Sequence, residues 1–181
     1  AAMPSPLGHA LGAVAAGWAM AGVPAARPAL LKQAAILAGI VVLRIGYEPR
    51  IVGNAVGTTP IFNWLLWGYG IPALSFWAGS ILLRRGGDDA PLRTVESAAI
   101  LFTVLLAFLQ IRHAVNNGDV YRQSAGLTEV ALQVCVALAM AIGLERLRIR
   151  TGSVIHNAGA ILLTAFAGLA AVFGLLMLEN P

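Results

Sequence analysis

What most constrains this chain is the spacing of its charges. Apolar blocks of about the length that crosses a bilayer alternate with short segments that carry nearly every Lys, Arg, Asp and Glu. From Thr94 to Ile111 the only formal charge is Glu96, and ~20 predominantly apolar residues suffice for a helix to cross ~30 Å of hydrocarbon. Over the whole chain 59% of residues are hydrophobic and 11% charged, against about 45 to 50% and about 25% in water-soluble chains. Such a chain is integral to a membrane.

One crossing plus its loop takes roughly 30 residues, so the 181 residues have room for about six helices and none for a separate soluble domain. The expected fold is all-α, a polytopic transmembrane helix bundle, with residues 1–181 as a single transmembrane helical segment. The single cysteine, Cys135, falls in the apolar block Val130 to Leu144. It excludes an intrachain disulfide or a thiolate metal cluster, and its expected role is that of a small core residue. A net charge of +4 could suggest nucleic acid, but the basic residues lie at helix ends and not along one polar face.

The apolar pattern places helices near 7–23, 28–46, 61–83, 91–113, 127–146 and 154–178. The first is rich in Ala and Gly and contains His9; it lacks the basic region of a cleaved secretory signal. Pro28, Pro60 and Pro91 stand near predicted helix starts, where a missing backbone donor costs little. Pro72 falls inside the helix over 61–83, after Gly68 and Gly70, and predicts a kink there.

Under this assignment, one side of the membrane holds Arg27, Lys32, Arg84, Arg85, Arg93, Arg146, Arg148 and Arg150; the other holds Arg44, Arg50, Arg112 and Arg122. The positive-inside rule puts the first set in the cytoplasm and both chain ends outside. An outside N-terminus without a signal sequence suggests a segment of a larger protein, or a first helix that does not span.

The residues that could carry chemistry gather on the predicted outer side. The uncharged run from Ser97 to Ile111 ends in Arg112 and His113, and ionisable groups at membrane depth are usually paired or face a cavity. Glu129 and Gln133, one turn apart, would share a face of the next helix, and Asn63 and Glu48 could approach from the preceding loop. A cluster of Asn63, Arg112, His113 and Glu129 could bind an anionic head group or relay a proton, since Arg grips phosphate bidentately and His titrates near neutral pH. The alternative is that Arg112 and His113 snorkel to the interface as anchors.

Elsewhere structural roles dominate. Trp64, Trp67 and Tyr69 fit an aromatic belt at the water interface, with Trp77 further along. His156 and Asn157 suggest an interhelical hydrogen-bonding pair, and Gly8, Gly12 and Gly39 helix packing. Glu145, Arg146, Arg148 and Arg150 suggest a solvated cytoplasmic helix end near anionic lipid. The sequence contains no Gly-x-x-x-x-Gly-Lys-Ser/Thr, His-Glu-x-x-His or Gly-x-Ser-x-Gly, so nucleotide and hydrolytic chemistries lack support. No cofactor or metal is expected.

The run Pro60, Ile61, Phe62, Asn63, Trp64, Leu65, Leu66, Trp67, Gly68, Tyr69, Gly70, Ile71, Pro72 and Ala73, followed by Phe76, Trp77, Arg84 and Arg85, resembles a block in the multispanning bacterial membrane proteins of domain-of-unknown-function family 2339. Gln110, Ile111, Arg112 and His113 resemble that family too, whose members commonly carry an acidic residue where this chain has Gln110. The likeness covers roughly Leu30 to Leu178. It implies a portion of a longer bacterial inner-membrane protein and implies no activity.

Three functions fit. A structural or accessory component of a membrane assembly is favoured by small-residue helix faces and by the lack of a catalytic constellation, with membrane lipids and other helices or subunits as partners and no nucleic acid. A transporter or lipid-handling protein would use the Asn63, Arg112, His113 and Glu129 cluster, with Pro72 as a hinge; no internal repeat supports it. An envelope transferase would need His113 as general base and a positioned nucleophile, which the sequence does not show.

Overall fold

The computed structural model describes residues 59–85, 87–120 and 126–178. The predicted helices near 7–23 and 28–46, the small-residue positions Gly8, Gly12 and Gly39, and Glu48 lie outside them. The fold is all-α. Helix α1 is Ile71–Arg84, entered through a π-helical turn Leu66–Gly70; α2 is Ala90–Val115; α3 is Leu127–Thr151; and α4 is Val154–Leu169, continued by π-helix over Ala170–Leu178. Among the described residues four segments are long and apolar enough to cross a membrane: Leu66–Arg84, Ala90–Val115, Leu127–Thr151 and Val154–Gly174. At 1.5 Å per residue the shortest, of 19 residues, reaches ~28 Å. In none of them is more than 28% of the apolar window buried inside the chain. So much uncovered apolar surface is stable in lipid and not in water.

The helix near 61–83 begins later than its apolar pattern suggests. Ile61 has φ 67°, a conformation costly for a β-branched residue. The Phe62 amide bonds the Pro60 carbonyl at 2.7 Å across it, closing a tight three-residue turn. The chain becomes helical after Asn63, whose Oδ1 accepts from the Leu65 amide at 3.0 Å. At Pro72, where a kink is predicted, the backbone changes from π to α winding one residue earlier, so the residue that lacks an amide donor sits where the helix changes its winding.

At α2, Asp89 Oδ1 accepts from the Leu92 amide at 3.2 Å and caps the N-terminus. Arg93 donates to Asp88 at 3.1 and 3.3 Å, and that bond holds the Asp88 carboxyl below its ordinary value. The far end closes with a left-handed residue, Asn117 (φ 53°), followed by Gly118, whose amide bonds the His113 carbonyl at 2.8 Å.

Helix α3 continues past the predicted end at Arg146 to Thr151. Arg148 and Glu145, three apart, form a two-pronged ion pair that suits an exposed last turn. Gly152, at φ 68°, stops the helix, its amide on the Arg148 carbonyl at 2.7 Å. The next residue, Ser153, starts α4 by accepting from the amides of Ile155 and His156.

The described residues divide into two compact units. In Leu66–Thr103, Leu83, Leu92 and Val95 form a core with Phe76 against it, and Phe76 stacks on Phe102 at 5.6 Å. Tyr69, expected in the interfacial belt, is instead buried beside Phe102, whereas Trp64 and Trp67 are exposed as expected. Trp77 donates to Thr103 at 3.0 Å. The other unit holds 59–65 and 104–178. Its α3/α4 hairpin buries Ala137, Ala141 and Leu144 on one helix and His156, Ala160, Leu163 and Ala167 on the other. The alanines among them, 137 and 141 on α3 and 160 and 167 on α4, let the backbones approach closely. Gly174 is a close approach: a Cβ there would lie 2.8 Å from Val130 Cγ1. Cys135, expected in the core, is exposed on α3, because the buried stripe passes through Val134 and Ala137 instead.

Candidate functional site

Glu129 is the centre of the polar cluster. It stands in the first turn of α3, where an anion is favoured by the helix dipole, and is fully buried. A carboxylate at that depth is tolerable only with its lone pairs filled. Oε1 accepts from Arg112 Nη1 at 2.7 Å and from Gln133 Nε2 at 3.2 Å, and Oε2 accepts from Asn116 Nδ2 at 3.0 Å. Arg112 Nε donates to the Val120 carbonyl at 2.7 Å. Asn116 Nδ2 also reaches the Arg112 carbonyl, at 2.9 Å. The end of α2, the turn after it and the start of α3 are thus tied through one carboxylate.

Asn63 is not part of that knot. Its amide pairs reciprocally with Gln110: Asn63 Nδ2 donates to Gln110 Oε1 and Gln110 Nε2 donates to Asn63 Oδ1, each at 3.0 Å. Gln110 Nε2 also donates to the Ile61 carbonyl at 3.0 Å, bracing the residue with positive φ. Gln110 and Arg112 are two positions apart on a helix, ~200° around its axis, so one faces the 59–65 segment while the other faces α3. An amide at 110 both accepts and donates here, which the acidic residue implied there by the family resemblance would not do when ionised. His113 is 2% exposed, in the last full turn of α2.

The structure therefore brings Arg112 and Glu129 together, gives Asn63 to Gln110 and buries His113. Sequence reasoning missed Asn116, although Asn beside a helix end is a common source of side-chain donors. It also missed a second buried ion pair. Arg84, at the end of α1, bonds Glu96, which is fully buried in α2. The signal was a lone carboxylate in an apolar helix, which calls for a cation on the neighbouring helix. Of the two residues expected to bond between helices, His156 does so, its Nδ1 2.9 Å from Thr151 Oγ1 across the α3/α4 turn, while Asn157 is exposed.

Among the described residues no group of three or more His, Cys, Asp or Glu side chains is placed to hold a metal. The Glu129 knot is a charge-compensated tie in which both carboxylate oxygens accept hydrogen bonds. That chemistry suits holding helices in register more than proton transfer.

A family model described as "Predicted membrane protein (DUF2339)" matches residues 5–181. The chain belongs to this family. No curated protein and no solved structure matches it. DUF2339 membership and four spanning segments together make this an integral, multi-pass membrane protein.

Proposed function

We propose that this DUF2339 chain is a structural or accessory component of a membrane assembly, resident in the bacterial inner membrane with the α1–α2 loop and the α3–α4 turn on the cytoplasmic side. The observation that carries the reading is the occupancy of Glu129: the residues best suited to bind a ligand are engaged with one another and connect α2 to α3. Large apolar side chains such as Leu74, Ile81, Ile142 and Leu162 remain uncovered, a surface for lipid and for helices of partner subunits. Cross-linking in native membranes, followed by purification in mild detergent and mass spectrometry, tests it. A stoichiometric membrane-protein partner is expected; a chain that purifies alone and uncross-linked refutes the reading.

One observation favours a transporter or lipid-handling role instead. The π-helical turn Leu66–Gly70 ahead of Pro72 is a winding found often at functional sites. Substrate flux in liposomes containing the chain alone, reduced by Pro72→Ala, would establish that role.

A further inference from the structure

Beyond the assembly role, we propose that the outer groove of the α3/α4 hairpin is a binding site for one anionic phospholipid. The groove is written by two matching helical stripes, 138–146 on α3 and 157–165 on α4. Its walls are apolar: Leu138 and Ile142 on one side, Ile161 and Ala165 on the other. Leu138, Ile142 and Ile161 expose 42 to 60% of their surface. Its charged groups gather at the end nearest the hairpin turn, where Arg146 and Asn157 line the mouth; Thr164 lies at the far end with its hydroxyl donating to the Ala160 carbonyl at 2.8 Å.

The charges at that mouth do not cancel. Glu145 is also there, but both its oxygens are taken by Arg148, at 2.7 Å and 2.5 Å. Arg146 is exposed and makes no ion pair among the described residues. The mouth therefore offers one uncompensated guanidinium beside a carboxamide, a donor set suited to a phosphate diester. Such a cation at a membrane surface attracts anionic lipid.

The dimensions agree with a lipid. From Asn157 to Ala165 the groove runs eight residues, ~12 Å. That is most of the depth of one leaflet, half of ~30 Å. An acyl chain lying along Ile142 and Ile161 with its phosphate at Arg146 fills such a groove.

The test uses the full chain purified in detergent, with phosphatidylglycerol and phosphatidylcholine as probes and native mass spectrometry counting retained lipid. One phosphatidylglycerol should be retained in preference to phosphatidylcholine. Arg146→Gln should lower that retention about fivefold, with helicity and melting temperature unchanged. Arg150→Gln, at an exposed arginine of the same helix end outside the groove, should leave it as it was. Ala165→Trp, which fills the groove from its exposed side, should abolish retention. Equal retention of the two lipids, or equal losses in Arg146→Gln and Arg150→Gln, would overturn the site in favour of diffuse surface charge. A dimer that persists at every lipid concentration and is broken by Ala165→Trp would overturn it in favour of a second copy in the groove.

Discussion

Removing Arg112 should unfasten α2 from α3 without stopping either helix from forming. In Arg112→Ala, Glu129 stays buried and keeps Asn116 and Gln133 but loses the one cation bonded to it among the described residues. Breaking one side of a buried pair costs ~3 to 5 kcal/mol. Arg112 keeps 22% of its side chain exposed, and two neutral donors remain, so the cost belongs at the lower end, ~3 kcal/mol. Glu129→Gln keeps the shape but turns one acceptor atom into a donor that faces donors, at ~2 kcal/mol. The double variant carries no uncompensated carboxylate, so its loss should fall short of the sum of the single losses by at least ~1.5 kcal/mol. Equilibrium unfolding in mixed micelles of rising denaturing-detergent fraction, followed by circular dichroism, measures all four corners of this cycle. Additive losses, or an Arg112→Ala protein within ~0.5 kcal/mol of the parent, would refute the idea that this pair is a structural tie.

Two further outcomes follow from the geometry. Asn63→Leu removes the reciprocal bonds to Gln110 and the acceptor for the Leu65 amide; it should destabilise the 59–65 segment by ~2 kcal/mol, read as faster amide exchange there with the α3/α4 hairpin unaffected. Gly174→Ala places a Cβ 2.8 Å from Val130 Cγ1 and should cost ~1 kcal/mol or more; the lowered melting temperature should recover in Gly174→Ala with Val130→Ala, and an absence of recovery would locate the strain elsewhere.

Much of the fold is legible in the sequence because lipid imposes one dominant rule. Apolar length placed the segments that became α2, α3 and α4 within a few residues, and even the C-terminal stretch to Leu178 is helical as expected. The errors occur where local chemistry overrides hydropathy. Ile61 and Phe62 look like membrane residues, yet a positive φ and the Asn63 side chain hold them in a turn. Helix α3 outlasts its apolar block because Glu145 and Arg148 satisfy each other and only Gly152 ends it. The site was half visible. Residue type and spacing pointed to Arg112, Glu129 and Gln133, but which face of α2 each polar side chain takes depends on angles around the axis. Those angles separate Gln110 from Arg112 and send Asn63 to the former.

The two buried ion pairs also set an order for biogenesis. Chains enter the bilayer from the N-terminus, so the guanidinium of Arg84 is already in place when Glu96 arrives, and that carboxylate can be neutralised as soon as α2 leaves the translocon. At the other end of α2 the order is the same but the separation is longer: Arg112 is delivered first and Glu129 follows seventeen residues later, against twelve for Arg84 and Glu96. Each junction stays open until the helix that carries its glutamate has been made, and the longer wait, at Arg112, gives a competing helix more time to intervene.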